Sequence, residues 1–298
     1  MSINGVILLN KFTGISSNQV DQKIKKILSL RKVKIGHIGT LDPLAKGILP
    51  IVVGNNSTKF ISYVDDKIKT YEFSLKFGYK STTGDSEGQL KKQDFYEPIT
   101  SKNIVKIIPE FIGKNKQKIP NFSAKKIDGK PLYFYARKGI NIPPKMSTIF
   151  IYSLSLNNFS LTNQIAKFTV KCSKGTYIRS LGEEIARRLN LFGYVTEIIR
   201  TKIFDFSIKQ CCEIQDIEKN NFTFLPIHSL IDLKEVYLDE EKTKSIMLGK
   251  YVKCEDTDIL LNEKIKMFNS KNNFIGIGVI ANKMLKPFRL IKFIPNFS

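Results

Sequence analysis

Tyr71, Phe73, Leu75, Phe77 and Tyr79 alternate without a break with Glu72, Ser74, Lys76 and Gly78. Successive side chains of a strand point to opposite faces, so this segment predicts a half-buried strand with one aromatic face. Ala166, Phe168, Val170 and Cys172 repeat the pattern against Lys167, Thr169 and Lys171. Two such segments far apart in a chain require a sheet that rests one face on a core. Other signals surround them. Gly5 to Leu9 reads as a short buried strand, and Ser16-Ser17-Asn18 supplies an N-cap for a helix with Val20, Ile24, Ile27 and Leu28 on one face. A Lys-rich helix is expected near Asn103 to Phe111. Another, from Tyr177 to Leu189, places Ile178, Leu181, Ile185 and Leu189 on one stripe with Arg187 and Arg188 turned away. Irregular alternation of strands and helices predicts an α+β protein with a mixed sheet.

Between the first helix and the aromatic strand lies Gly36-His37-Ile38-Gly39-Thr40-Leu41-Asp42-Pro43-Leu44-Ala45-Lys46-Gly47. One acidic residue stands among three glycines, and Pro43 restricts it to extended or turn geometry. The carboxylate is presented on a tight, stiff loop rather than on a solvated helix face. An Asp in this position commonly closes an Asx turn, so the local pattern admits a structural role as well as a chemical one.

At 298 residues the chain can bury a substantial core and divide into a large and a small domain. No apolar run approaches the roughly 18 residues of a membrane span, and the N-terminus has no basic region leading into an apolar segment, so no secretory signal is expected. Cys172, Cys211, Cys212 and Cys254 make no CxxC pair, and with two histidines the material for a zinc site is poor. Reduced thiols in a cytoplasm are the expectation, without metal or cofactor. Asp85 and Glu87 lack the alternate oxygen ligands of a calcium loop and read instead as a turn near a cleft.

The net charge is +21. Such an excess opposes compaction and is usually offset by a polyanion. Residues 101–150 hold eleven basic side chains against Glu110 and Asp128, a net +9 in one sixth of the chain. Uniform compositional bias would not concentrate charge in this way, so an RNA-facing surface is expected there. Residues 234–298 hold twelve basic and eight acidic residues, +4 net. Their short strand-like pieces (Lys264 to Phe268, Phe274 to Ile280, Phe288 to Phe293) have the texture of a small β-rich module.

The loop sequence GHIGTLDPLAKGILPIVVG closely resembles the signature of the TruB family of bacterial tRNA pseudouridine synthases. Lys69-Thr70-Tyr71, Thr83-Gly84-Asp85-Ser86-Glu87-Gly88, Lys130-Pro131-Leu132-Tyr133-Phe134-Tyr135-Ala136-Arg137 and Cys172-Ser173-Lys174-Gly175-Thr176-Tyr177-Ile178-Arg179-Ser180-Leu181 each match a further family block, in the family's order. The resemblance implies the pseudouridine synthase fold: a mixed, mainly antiparallel sheet with flanking helices and a thumb insertion at about 117–146. It implies a catalytic domain over 1–233 and a PUA-like RNA-binding domain over 234–298. It further implies isomerisation of uridine to pseudouridine at position 55 in the T loop of tRNAs, by a monomer that needs neither metal nor cofactor.

By the same resemblance Asp42 is the central catalytic residue, as nucleophile or as base at the ribose, and Arg179 is its partner. Tyr71 stacks on the flipped uracil and can serve in proton transfer at C5. His37, Tyr177 and Ile199 belong to the substrate-binding set, with Ile199 in place of the family's Leu and Thr201 in place of its second following Arg. Lys11 supports the site, although Asn10-Lys11-Phe12 stands where Asp-Lys-Pro is usual. Lys118, Lys125, Lys126, Lys130, Arg137 and Lys138 are the expected RNA contacts of the thumb, where Phe122 and Lys125 replace the usual Tyr and Leu. Two rival readings share the basic surface. A non-catalytic RNA-binding protein or chaperone would have no need of Asp42, Tyr71 and Arg179 together. The guide-dependent relative acting on ribosomal RNA is expected to carry a long N-terminal extension.

Overall fold

A computed structural model of the protein describes residues 3–140, 142–254 and 262–292. The apolar start of the chain forms β1 (Gly5–Lys11). Helix α1 (Ser17–Ile27) follows, capped as its sequence dictates: Gln19 N donates to Ser16 Oγ at 3.3 Å and Ser16 N donates to the Gln19 side chain at 2.9 Å. β2 (Ile35–His37) pairs antiparallel with β3 (Lys46–Val53), so the Asp42 loop is strung between two strands of one ladder.

β4 (Ile68–Phe77) is the aromatic strand, with Tyr71, Phe73, Leu75 and Phe77 buried. Two details depart from the sequence reading. The strand begins at Ile68, because Ile68, Lys69 and Thr70 pair with Ser173, Cys172 and Lys171, so Tyr71 is an interior residue and not the first. It stops at Phe77, because Gly78 turns the chain at φ +84°; Tyr79 opens a separate strand, β5 (Tyr79–Ser81), paired with β6 (Leu90–Lys92).

Helix α2 (Ser101–Ile107) runs into a 3₁₀ turn ending at Phe111. β7 (Gly113–Lys118) leads into the basic insertion. There a small hairpin, β8 (Lys126–Ile127) and β9 (Lys130–Pro131), precedes the short helix α3 (Leu132–Arg137). The chain returns along β10 (Met146–Ser160) and β11 (Ile165–Ser173). Helix α4 (Ile178–Arg188) buries Ile178, Leu181 and Ile185, while Arg187 and Arg188 face outward and pair with Glu184. β12 (Gly193–Ile203) and β13 (Phe206–Ser207) complete this part.

These strands make one nine-stranded sheet in the order β1-β3-β12-β4-β11-β10-β7, with β2 on β3 and β13 on β12. Within it β12 and β3 run parallel and the other pairs antiparallel. Phe73 and Phe168 are cross-strand partners whose rings stack at 5.1 Å, one of the pairings fixing the register. Helices α1, α2 and α4 cover this face.

Past α5 (Ile214–Glu218), the chain builds a second sheet from β14 (Glu235–Leu238), β15 (Val252–Lys253), β16 (Lys264–Asn269), β17 (Phe274–Ala281) and β18 (Met284–Leu290), with α6 (Glu240–Met247) against it. β18 starts before the expected Phe288, because Asn282 and Lys283 both take positive φ and close a tight hairpin that pairs Ala281 with Met284. Its expected end, Phe293, lies outside the described residues. Phe268, Phe274 and Ile277 pack with Val6, Val52 and Phe60, so the second sheet docks on the first beside the strands that carry the Asp42 loop.

Candidate active site

A single ammonium holds the Asp42 turn from below. Lys11, at the end of β1, is fully buried, and its Nζ donates to the carbonyls of Ala45 (2.6 Å), Phe12 (3.0 Å), Asp42 (3.2 Å) and Pro43 (3.3 Å). Burial pushes its pKa down to about 8, against the pull of the Asp42 and Glu87 charges. Ser17, at the start of α1, fixes the other side: its Oγ accepts from Leu41 N and donates to Leu41 O, both at 2.9 Å. Gly47 ends the loop at φ +106°, where a Cβ would fall 2.3 Å from the Arg200 carbonyl oxygen; only glycine lets β3 approach β12 here.

The Asp42 side chain, 36% exposed, lies at the wall of a cavity of about 800 Å³. Arg179, in the first turn of α4 and 3% exposed, reaches it: Nε donates to Asp42 Oδ2 at 2.8 Å. Its other nitrogens are equally committed, Nη1 to the Thr83 carbonyl (2.8 Å) and Nη2 to the Phe122 carbonyl (2.7 Å). Asp85 Oδ2 stands 3.5 Å from the same Nε, with the side chain almost wholly buried. One guanidinium thus joins the Asp42 loop, the Thr83 turn and the thumb. The stem of the thumb is also anchored here, because Gln117 Nε2 donates to the Tyr177 carbonyl (3.0 Å) and Tyr177 N to Gln117 Oε1 (2.8 Å).

Among the expected site residues, Asp42 and Arg179 meet directly. Tyr71 is buried and is not among the residues that line the cavity; burial raises its phenol pKa, with the Asp42 charge adding to the rise and Arg200 opposing it. Burial likewise raises the Tyr177 phenol, and Glu87, on the wall, is held up by burial and by the charges of Asp85 and Asp42. His37 turns from the cavity, with Nδ1 2.8 Å from Asp21 Oδ2 and Nε2 3.0 Å from Thr40 Oγ1; Thr40 is the wall residue. Ile199 requires a correction. It pairs with Glu72, so it faces away from Tyr71, whereas Ile198 (opposite Phe73) and Arg200 (opposite Tyr71) share the Tyr71 face. A step of one residue along a strand moves the side chain to the other face, so Ile199 and Tyr71 do not share one.

The six thumb cations are all exposed. Lys126 and Arg137 line the cavity. Lys130 and Lys138 sit 5.0 and 4.6 Å from the centre of the Phe134 ring, and Arg137 lies 5.6 Å from that of Tyr133. Sequence patterns alone do not assign Ser17, Asp85, Gln117 and Arg200 to the site. Asp85 carries the clearest signal, an acidic residue flanked by Gly84 and Gly88 as Asp42 is flanked by Gly39 and Gly47. Among the described residues no group of three or more His, Cys, Asp or Glu side chains is placed to hold a metal ion, and no helix is long and apolar enough to cross a membrane.

Comparison with known proteins gives a consistent result. Residues 25–178 match the TruB family pseudouridylate synthase N-terminal domain, and residues 235–291 match the C-terminal domain of pseudouridine synthase II TruB. The chain is 35% identical over 292 residues to a tRNA pseudouridine synthase B of Caldanaerobacter subterraneus, covering 97% of this chain and 100% of that protein. It is 37% identical over 296 residues to one of Nitrosomonas europaea, covering 95% and 94%. In fold it resembles a chain from the structure of an H/ACA RNP bound to a substrate RNA containing 2'-deoxyuridine, with a TM-score of 0.71 at 18% identity over 97% of this chain and 85% of that one.

Proposed function

The chain belongs to the TruB family of pseudouridylate synthases and isomerises uridine to pseudouridine in tRNA, and we propose that its target is the uridine at position 55 of the T loop. Asp42 acts at the junction of ribose and uracil, as nucleophile or as base. The observation that carries this reading is an Arg179-held carboxylate at the wall of a cavity that Lys126 and Arg137 of the thumb also line. Arg suits the task because its charge is permanent and its nitrogens fix several partners at once.

The reaction breaks the bond from ribose to N1, turns the base and rejoins it through C5. It consumes no redox equivalent and no activated donor, so no cofactor or metal is assigned. The uridine has to leave its stack, at a cost of a few kcal/mol. Tyr71 supplies the ring that receives it and the hydroxyl that takes part when the C5 proton leaves. Residues 1–233 form the catalytic domain. Within it the thumb, about 117–146, meets phosphates through Lys118, Lys125, Lys126, Lys130, Arg137 and Lys138. The described residues between 234 and 292 form a PUA-like domain that adds RNA contacts; the rest of the 234–298 span lies outside the described residues. The enzyme works as a monomer in the cytoplasm.

The test is tritium release from a T-arm transcript labelled at C5 of its uridines, with pseudouridine mapped afterwards. Release is expected at position 55 and nowhere else, and a transcript with cytidine there should release none. Modification at a different uridine would overturn the positional assignment, and tight binding without release would favour the chaperone reading.

A further inference from the structure

Arg200 is fully buried; its Nε donates to the Ile48 carbonyl at 2.8 Å, and its guanidinium also acts on the Tyr71 phenol as a side-chain hydrogen-bond partner. Nη1 and Nη2 are enclosed, and beyond the Tyr71 phenol they have no hydrogen-bond partner among the described residues. A buried guanidinium without a counter-ion is costly, and a protein that keeps one gains something from its charge or its donors. The adjoining carboxylate does not neutralise it. Asp66 lies beneath Gly39 together with Arg200 Nη1, but its oxygens are taken by Lys69 (2.8 Å) and Lys174 (2.6 Å).

What Arg200 does face is Tyr71. The two are direct cross-strand partners on β12 and β4, so their side chains leave the same face of the sheet. Nη1 also lies under the Asp42 loop, 3.1 Å from where a Cβ of Gly39 would stand. We propose that Arg200 is a positioning residue for the isomerisation, its Nη groups holding the Tyr71 hydroxyl oxygen as an acceptor and its fixed charge favouring loss of the phenol proton. The proposal rests on the reading that Tyr71 takes part when the C5 proton leaves. In that step the phenol first releases its proton to solvent. The C5–H bond then breaks, its electron pair stays in the ring, and the proton passes to the phenolate oxygen. N1 takes a proton from water, so the isomerisation is proton-neutral.

The charges around Tyr71 fit this role. Burial raises its pKa, and Asp42 from the loop and Cys172 from β11 act in the same direction, while Arg200 from β12 opposes them. Cys172 is itself pushed up to about 11 and stays a neutral thiol. Lys69, on the same strand as Tyr71, is committed to Asp66. Arg200 is therefore the cation placed to ease ionisation of the phenol.

The test places difluorotyrosine at position 71 of the full chain, where its ¹⁹F signal reports ionisation at that one site. Arg200→Gln should raise the ionisation midpoint by about one pH unit or more. It should also slow single-turnover isomerisation by about tenfold, with tRNA affinity within about threefold. Arg200→Lys, which keeps a charge but not the fork, should fall between. An unmoved midpoint in folded Arg200→Gln, or in folded Arg200→Lys should the first not fold, would overturn the proposal. Loss of folding in both variants would make the residue structural and overturn it equally. Tyr71→Phe separates the two readings. Full speed in that variant removes Tyr71 from proton transfer, whereas a slow Tyr71→Phe with an unmoved midpoint in Arg200→Gln removes only Arg200.

Discussion

Arg179 holds Asp42 with one nitrogen only. Nε spans 2.8 Å to Oδ2 across a sequence separation of 137 residues, while both Nη atoms bind main-chain carbonyls of other segments. The guanidinium is therefore a three-way joint and not a bidentate clamp on the carboxylate. Replacing it should disturb the cleft as well as the charge. Arg179→Lys keeps a cation that cannot reach Asp42, Thr83 and Phe122 together. Turnover should fall by about 10²–10³. The thumb should also become more open to proteolysis around residues 122–140. A variant with normal turnover and an unchanged cleavage pattern would contradict the joint.

Asp42→Asn keeps the shape of the side chain and removes its charge and basicity. Turnover should vanish while tRNA binding stays within about tenfold, or ~1.4 kcal/mol. Product above a mock preparation, from stringently purified variant, would take Asp42 out of the central role.

Lys11 has a folded-state pKa depressed to about 8 from 10.5. Between those values the unfolded chain binds more protons than the folded one, so this group makes stability rise with pH. Its linkage contribution is fully present above 10.5 and is lost as pH falls through about 8. Lys11→Met should abolish that rise. The same variant should also cost about 3 kcal/mol, because it strips the donor from buried loop carbonyls. Urea unfolding of both proteins at pH 7, 8, 9 and 10 reads the difference, and parallel stability curves would refute the linkage.

Ile198 and Ile199 are adjacent yet face opposite sides of the sheet. Ile198→Ala should destabilise by about 2–4 kcal/mol and impair turnover, because it opens a hole beside Phe73 and Tyr71. Ile199→Ala should cost about 1 kcal/mol or less. Equal effects, or the reverse order, would contradict the register.

Neutralising Lys126, Lys130, Arg137 and Lys138 should weaken tRNA binding. The log-log salt dependence should become shallower by roughly 0.7–0.9 for each phosphate that no longer meets a cation. The rate at saturating tRNA should change far less. An unchanged salt slope would mean that the thumb charge is compositional and that the RNA-binding face lies elsewhere.

The amino-acid sequence determined what depends on neighbours along the chain. Period-two alternation specified β4 and β11, Ser16 and Gln19 specified the start of α1, and the glycines with Pro43 specified a stiff loop presenting Asp42. Each is a local choice among backbone conformations, so a short segment contains the information. Tertiary structure decided what depends on register and long-range closure. The offset of β12 against β4 put Ile198 and Arg200, not Ile199, on the Tyr71 face. The fold brought the Phe122 and Thr83 carbonyls to Arg179, and the carbonyls of Asp42, Pro43 and Ala45 to Lys11. A main-chain carbonyl is the same group at every residue, so no sequence pattern marks which one a buried cation will bind. That choice is made only when distant segments pack and each buried donor must find an acceptor.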